Sequence, residues 1–205
     1  MTIAPSSLRV CDRPLEDCLR LVEDFHGCRS PGIVLGLFMV DRARILIGPA
    51  VEADVIAETR HCLPDAVQLF TPCTVGNGWL KIVDRDCFAL TFFDRHSRRG
   101  YRVWLDLEKA RAFPNLYNWY LRRVSKQDLP LETLLATIVE ARGAALSSVP
   151  VTLTRFYARD KKDRIAVCPG CGEAYRGDPA QLCDHCRGDG YWRPSATHTG
   201  LASNG

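Results

Sequence analysis

Two cysteine pairs near the end of the chain, Cys168-Pro-Gly-Cys171 and Cys183-Asp-His-Cys186, form the pattern C-x2-C-x11-C-x2-C. Each pair turns tightly and brings two sulfurs together. Two such knuckles on opposed turns close the tetrahedral four-thiolate shell that Zn²⁺ prefers at structural sites. Gly170, Gly172 and Gly188 supply the backbone angles that knuckles need. A segment this short cannot bury a core, so the metal itself must hold it folded. Two disulfides would satisfy the same spacing only in an oxidising compartment. His185 lies inside the second pair and is not expected to replace a thiol, and the doublets fit structural zinc better than an iron cluster. A closed shell has no open coordination position, which assigns the module to structure or partner recognition rather than catalysis.

The chain has ten cysteines, so six lie outside this pattern. The N-terminus shows no basic region followed by an apolar stretch, and a cytoplasmic location with reduced thiols is therefore expected. The apolar run Ile33–Val40 meets Asp41, Arg42 and Arg44 well short of a bilayer span, so no membrane association is expected. With 205 residues, 46% hydrophobic and 25% charged, the chain has room for one ordinary core and a small appendage. A net charge of +3 is too small to imply a nucleic-acid partner by itself. Composition changes at the charged run Arg159-Asp160-Lys161-Lys162-Asp163-Arg164, which reads as a linker. The expected domains are a core over 1–160, a zinc ribbon over 161–193 and a disordered tail over 194–205.

Hydropathy patterning predicts an α+β core. Residues 1–13 read as a lead-in or short strand. Leu15, Cys18, Leu19, Val22 and Phe25 recur at helical spacing over Pro14–Phe25. A buried helix is expected from Ser30 to about Ile47, with Ser30 as N-cap, Pro31 at the first helical position and Gly48-Pro49 closing it. Strands are expected over Val51–Thr59, Trp79–Val83, Cys87–Phe93, Tyr101–Leu107 and Val149–Tyr157. Helices are expected over Cys62–Phe70, from Asn115 through Val124, and over Leu131–Ala145. Arg95–Arg99 reads as a solvated hairpin tip, because Asp84, Asp86 and Asp94 stand nearby. Phe113, Tyr117, Trp119 and Tyr120 read as packing residues, and Gly76-Asn77-Gly78 as an ordinary turn.

The remaining chemistry concentrates in Phe25-His26-Gly27-Cys28-Arg29-Ser30-Pro31-Gly32. This loop feeds a helix N-terminus, where backbone N–H groups and the dipole stabilise negative charge and ease thiol ionisation. Cys62 and Cys73 flank the short helix after the first main strand. Cys11, Cys18 and Cys87 read as core cysteines, which behave as small hydrophobes. His61, His96 and His198 carry no assigned role.

These features together resemble the FmdE family of formylmethanofuran dehydrogenase subunits. The matching residues are Phe25-His26-Gly27 with Pro31-Gly32, Cys62-x-x-Asp65-Ala66-Val67-Gln68, Cys73-Thr74-Val75-Gly76-Asn77-Gly78 and the strand Ala89-Leu90-Thr91-Phe92. With the C-terminal finger they span most of the chain. The resemblance implies a thioredoxin-like core with a mixed β-sheet flanked by helices. It also implies a homodimer with a cysteine- and histidine-lined cleft, and association with molybdenum or tungsten formylmethanofuran dehydrogenase. His26, Cys62 and Cys73 carry over from the family motifs, with Asp65 behind them. Where the family loop reads His-Gly-His-x-Cys-Pro, this chain has Cys28 and Ser30 at the second His and the Cys, and a Gly-Lys pair further on is replaced by Asp86-Cys87.

The sequence therefore points to a metal-binding protein of this family. Cys168, Cys171, Cys183 and Cys186 are expected to hold structural zinc. A second transition-metal or thiol site is expected from His26, Cys28, Cys62 and Cys73, with Cys73 as the reactive thiolate and His26 as base or ligand. No acid/base dyad, hydrolase triad or dinucleotide fingerprint is present. The alternative is a nucleic-acid or protein adaptor acting through the ribbon and Lys161, Lys162, Arg164, Arg176, Arg187 and Arg193. Acidic residues intersperse those cations, so nucleic acid is not the expected partner.

Overall fold

A computed structural model describes residues 8–155 and 164–192. The chain divides into two compact units, Met1–Tyr157 and Ala158–Gly205. The expected linker up to Asp163, the tail from Pro194, and the cations Lys161, Lys162 and Arg193 lie outside the described residues, as does His198.

The first unit begins with a hairpin of β1 (Arg9–Val10) and β2 (Arg13–Pro14), then α1 (Leu15–His26) and α2 (Pro31–Ile47). Next come β3 (Ala53–Ala57), α3 (Leu63–Phe70), β4 (Leu80–Ile82), β5 (Ala89–Asp94) and β6 (Arg99–Leu105). α4 (Leu107–Ala110), α5 (Pro114–Tyr120), α6 (Leu131–Ala141) and β7 (Leu146–Thr152) complete it. The main sheet has the order β4-β3-β5-β6-β7. β3 and β4 are parallel and joined through α3, while every other pair is antiparallel. A parallel β-α-β crossover next to an antiparallel hairpin is the thioredoxin-like arrangement of a mixed sheet.

α2 is the central helix. Every residue from Gly32 to Val40 is buried, and the helix packs against α3, α6, β5 and β6. This explains why its apolar residues are not confined to one stripe. Glycines let α3 come close. A Cβ at Gly36 would lie 2.7 Å from the Ala66 Cβ, and one at Gly32 would lie 2.7 Å from the Cys62 Sγ. Position 32 thus faces 62 and position 36 faces 66, so the two helices run parallel with their N-termini together. The sheet face away from α2 carries a paired charge: Arg102 donates to both oxygens of buried Glu58, at 2.6 and 2.9 Å.

Several caps and boundaries differ from the sequence reading, although α2 itself spans the residues expected. Ser30 occupies the cap position of α2, but its hydroxyl makes no capping bond. Asn115 sits inside α5, whose cap is Phe113, and its amide instead donates to the Thr137 hydroxyl at 3.2 Å. The helix expected to reach Ala145 stops at Ala141, because Arg142 has φ 44° and a single 3-10 turn follows. Leu107 starts α4 rather than ending β6, since the Asp106 carboxylate caps that short helix. Cys87 is half-buried and precedes β5. Phe113, Tyr117, Trp119 and Tyr120 do pack against the core.

The second unit contains the antiparallel hairpin β8 (Ile165–Val167) and β9 (Ala174–Arg176), then a helical turn over His185–Asp189.

Candidate metal centres

The four cysteine sulfurs of the second unit all lie within 4.8 Å of one another. Cys168 and Cys171 leave the end of β8 and turn into β9, whereas Cys183 and Cys186 stand at the start of the helical turn. The second pair thus opens a helix instead of a second knuckle. A tetrahedron with Zn–S bonds of about 2.3 Å has edges of about 3.8 Å, and the Cys171 and Cys183 sulfurs are 3.8 Å apart. The backbone N–H groups of Cys183 and Gly170 point at the Cys168 sulfur, at 3.3 and 3.4 Å. These donors, Cys183 foremost, bring the Cys168 thiol down to about 6. Its neighbours respond in the opposite direction: the adjacent Cys171 thiol, above all, pushes Cys186 up to about 12. Four thiolates this close repel strongly, and a divalent cation at their centre is what lets all four ionise. The donor set and spacing fit zinc. His185 is not a ligand; its ring stacks on Trp192 with centroids 4.4 Å apart.

The thiols and imidazole of the first unit are arranged differently from the expectation. His26 is the last residue of α1, which Gly27 ends in the left-handed conformation at φ 79°. The His26 Nδ1 is 3.2 Å from the Asp65 carboxylate on α3. A carboxylate behind one ring nitrogen fixes the tautomer and leaves Nε2 as the donor atom, as in many metal-bound histidines. Cys62 directly precedes α3 at φ 52°, ψ −46°, and the Leu63 N–H donates to the His61 carbonyl across it. This is a γ-turn with positive φ, which is rare and strained for a residue with a side chain. Its sulfur is 3.6 Å from the Ser30 hydroxyl at the start of α2. The N-termini of two parallel helices therefore converge on the Cys62 sulfur. Cys28 is exposed in the intervening loop. Arg29, beside it, is tied to Glu23 at 2.9 Å.

Cys73 does not join this group. It follows the opposite, C-terminal end of α3, is 1% exposed, and donates its S–H to the Ala53 carbonyl at 3.1 Å. Burial pushes its thiol up. Cys73, expected as the reactive thiolate, is thus a buried thiol that α3 separates from Cys62. Among the described residues, the finger sulfurs are the one set of three or more His, Cys, Asp or Glu ligand atoms gathered within 4.8 Å. His26, Cys28, Cys62 and Cys73 are not brought together as a quartet within the chain. Sequence reasoning gave Ser30 only a capping role and left Gly32 without one, although Gly32 and Gly36, four residues apart on one helix, signal a close helix contact.

Residues 25–154 match the family described as FmdE, molybdenum formylmethanofuran dehydrogenase operon. The chain belongs to the FmdE family. Residues 159–193 match the FmdE treble clef zinc finger, in agreement with a second cysteine pair that opens a helical turn. A solved structural relative of this FmdE chain is a tungsten formylmethanofuran dehydrogenase FmdE-like protein from Syntrophus aciditrophicus. It is 36% identical with a TM-score of 0.81, and the match covers 90% of this chain and 98% of that one. A curated relative, a probable S-adenosyl-L-methionine-binding protein of Archaeoglobus fulgidus, is 34% identical over 99 residues. That match takes in 44% of this chain, which spans only 27% of the archaeal protein's length. Among the described residues, no helix is long and apolar enough to cross a membrane.

Proposed function

We propose that this FmdE-family chain is a homodimeric accessory protein of a molybdenum or tungsten formylmethanofuran dehydrogenase-type oxidoreductase, and that it carries a transition metal in its core as well as zinc in its finger. The observation that supports a core site most directly is the strained Cys62 at the joined N-termini of α2 and α3, with the His26–Asp65 pair on the same end of α3. Cys62 and His26 are the ligands held by rigid elements. Cys28, on the loop between α1 and α2, is the ligand that moves to close the shell. Its sulfur takes the place of the imidazole found at that position in the family. The structural relative named for the tungsten enzyme supports the choice of partner. A cytoplasmic setting, where thiols stay reduced, suits a protein that holds metal through its cysteines.

The adaptor reading has weaker support. Over 164–192, three arginines face four carboxylates, and Arg187 is paired with Asp184. Such a surface does not attract a polyanion.

Elemental analysis of the full-length protein tests the proposal. Two metals per chain are expected, falling to one in His26→Ala and in Cys62→Ala, with the finger zinc retained. A single zinc per chain in all three proteins, with folding unchanged, overturns the core site. Co-purification from cells that contain the oxidoreductase tests the partner separately.

A further inference from the structure

The face of the main sheet turned away from α2 holds a small solvent-open cavity of about 160 Å³. That is below the roughly 300–1,000 Å³ of sites for organic ligands. At about 30 Å³ per water it has room for a few waters or one small ion. Its floor comes from neighbouring strands: Thr91 on β5 stands opposite Ile56 on β3 and opposite Arg102 on β6. Glu58, just past β3, forms a wall. Arg85 is fastened beside it, since its N–H donates to the Glu58 carbonyl at 3.0 Å. Thr154 and Arg155, just past β7, complete the lining.

Two observations call for a ligand there. Thr91 is 5% exposed, and among the described residues its hydroxyl has no hydrogen-bond partner. A buried donor in that state costs free energy until a partner fills the space in front of it. Arg85 and Arg155 take part in no ion pair among the described residues, and guanidinium forks match the oxygens of an anion. Among the described residues, Glu58 is the one carboxylate in the lining, and the Arg102 fork already neutralises it. Of the acids next to Arg85 in sequence, Asp84 is held by Arg60 at 2.8 Å and Asp86 is exposed. The lining therefore carries net positive charge, with a free hydroxyl at its base.

We infer that this cavity binds a small tetrahedral oxyanion that carries a proton at neutral pH, of which inorganic phosphate is the type. Thr91 and Thr154 donate their hydroxyls to its oxygens, and the Arg85 and Arg155 guanidinium groups cover its charge from the rim. Glu58 sets the specificity. An ionised carboxylate has about four lone-pair sites, and Arg102 occupies two of them through its 2.6 and 2.9 Å bonds. A P–OH group can donate to a remaining one, whereas sulfate, which has no proton at neutral pH, meets only repulsion there. The site goes beyond the proposed metal function and does not rest on it: it shares no residue with His26, Cys28, Cys62 or the finger.

Calorimetric titration of the full-length protein with inorganic phosphate, against sulfate and acetate at equal ionic strength, tests it. Saturable phosphate binding is expected, with sulfate and acetate each at least about tenfold weaker. Thr91→Val should weaken phosphate binding about tenfold, and it keeps the fold because the replaced hydroxyl has no partner to lose. Arg85→Gln combined with Arg155→Gln should weaken binding by a similar factor and flatten its salt dependence. Both arginines are exposed, so this variant stays folded whatever Thr91→Val does. Absence of phosphate binding, sulfate bound as tightly as phosphate, or phosphate affinity unchanged in the variants overturns the assignment. Phosphate held by a metal centre instead would give that last result.

Discussion

Adding one methyl group at Gly32 should show how tightly the start of α2 is fitted to Cys62. A Cβ there would lie 2.7 Å from the Cys62 sulfur and 2.8 Å from its Cβ. Ordinary contact is about 3.8 Å, so the new group overlaps its neighbour by about 1 Å. Cys62 cannot rotate away freely, because its backbone is held in the γ-turn that starts α3. Overpacking of this kind costs about 1–3 kcal/mol, and the better helix propensity of alanine returns up to about 1 kcal/mol. A net loss of about 1–2 kcal/mol is expected for Gly32→Ala, which lowers Tm by about 2–8 °C for a chain of this size. The decisive assay is a double-mutant cycle measured by far-UV circular dichroism. Cys62→Gly removes both clashing atoms and also relieves the positive-φ strain, so Gly32→Ala should cost nothing measurable in that background. The coupling energy should be about 1–2 kcal/mol. A Gly32→Ala protein as stable as wild type, or one equally destabilised with and without the Cys62 side chain, would refute the close-contact argument.

Other outcomes follow from the same structure. Treatment with a strong chelator should remove zinc and abolish amide-exchange protection over 164–192, while the first unit keeps its own, since its core does not depend on the finger metal. Arg102→Ala should destabilise by about 3 kcal/mol in urea unfolding, because Glu58 is 6% exposed and would be left buried without its partner; Glu58→Gln with Arg102→Leu should recover most of that loss. Alkaline pH should weaken the fold through two buried thiols, since burial pushes Cys11 up to about 12 and Cys18 up to about 11 from an ordinary 9.0. Both pKa values are raised, so their contribution is complete below pH 9 and is lost as pH climbs from 9 towards the folded values. Each thiol adds a slope of up to about 1.4 kcal/mol per pH unit. Stability measured between pH 9 and 10.5 should fall less steeply in a Cys11→Ala/Cys18→Ala protein than in wild type.

Periodicity located most elements because it records burial. The apolar run of α2 showed that the helix is enclosed on all sides, and the alternation in β3 and β6 showed which face packs inward. Caps were misjudged where a side chain took a partner far along the chain: Asn115 turned to Thr137, and Ser30, though at the expected cap position, turned to Cys62. Helix caps are local signals, and such distant competition does not appear in a local pattern.

The finger was legible because its ligands lie within 19 residues and their spacing is itself the geometry. The sequence alone therefore determined four converging thiolates, the cation they require, and the family whose motifs the core carries. Only the tertiary structure could separate Cys73 from Cys62, since both flank one short helix in the sequence but stand at its opposite ends in space. The same packing, two parallel helices in glycine contact, joined Cys62 to the start of α2 and set a cavity of about 660 Å³ at their other end. Residues from five separate segments line that cavity, and no spacing rule links positions that only folding brings together.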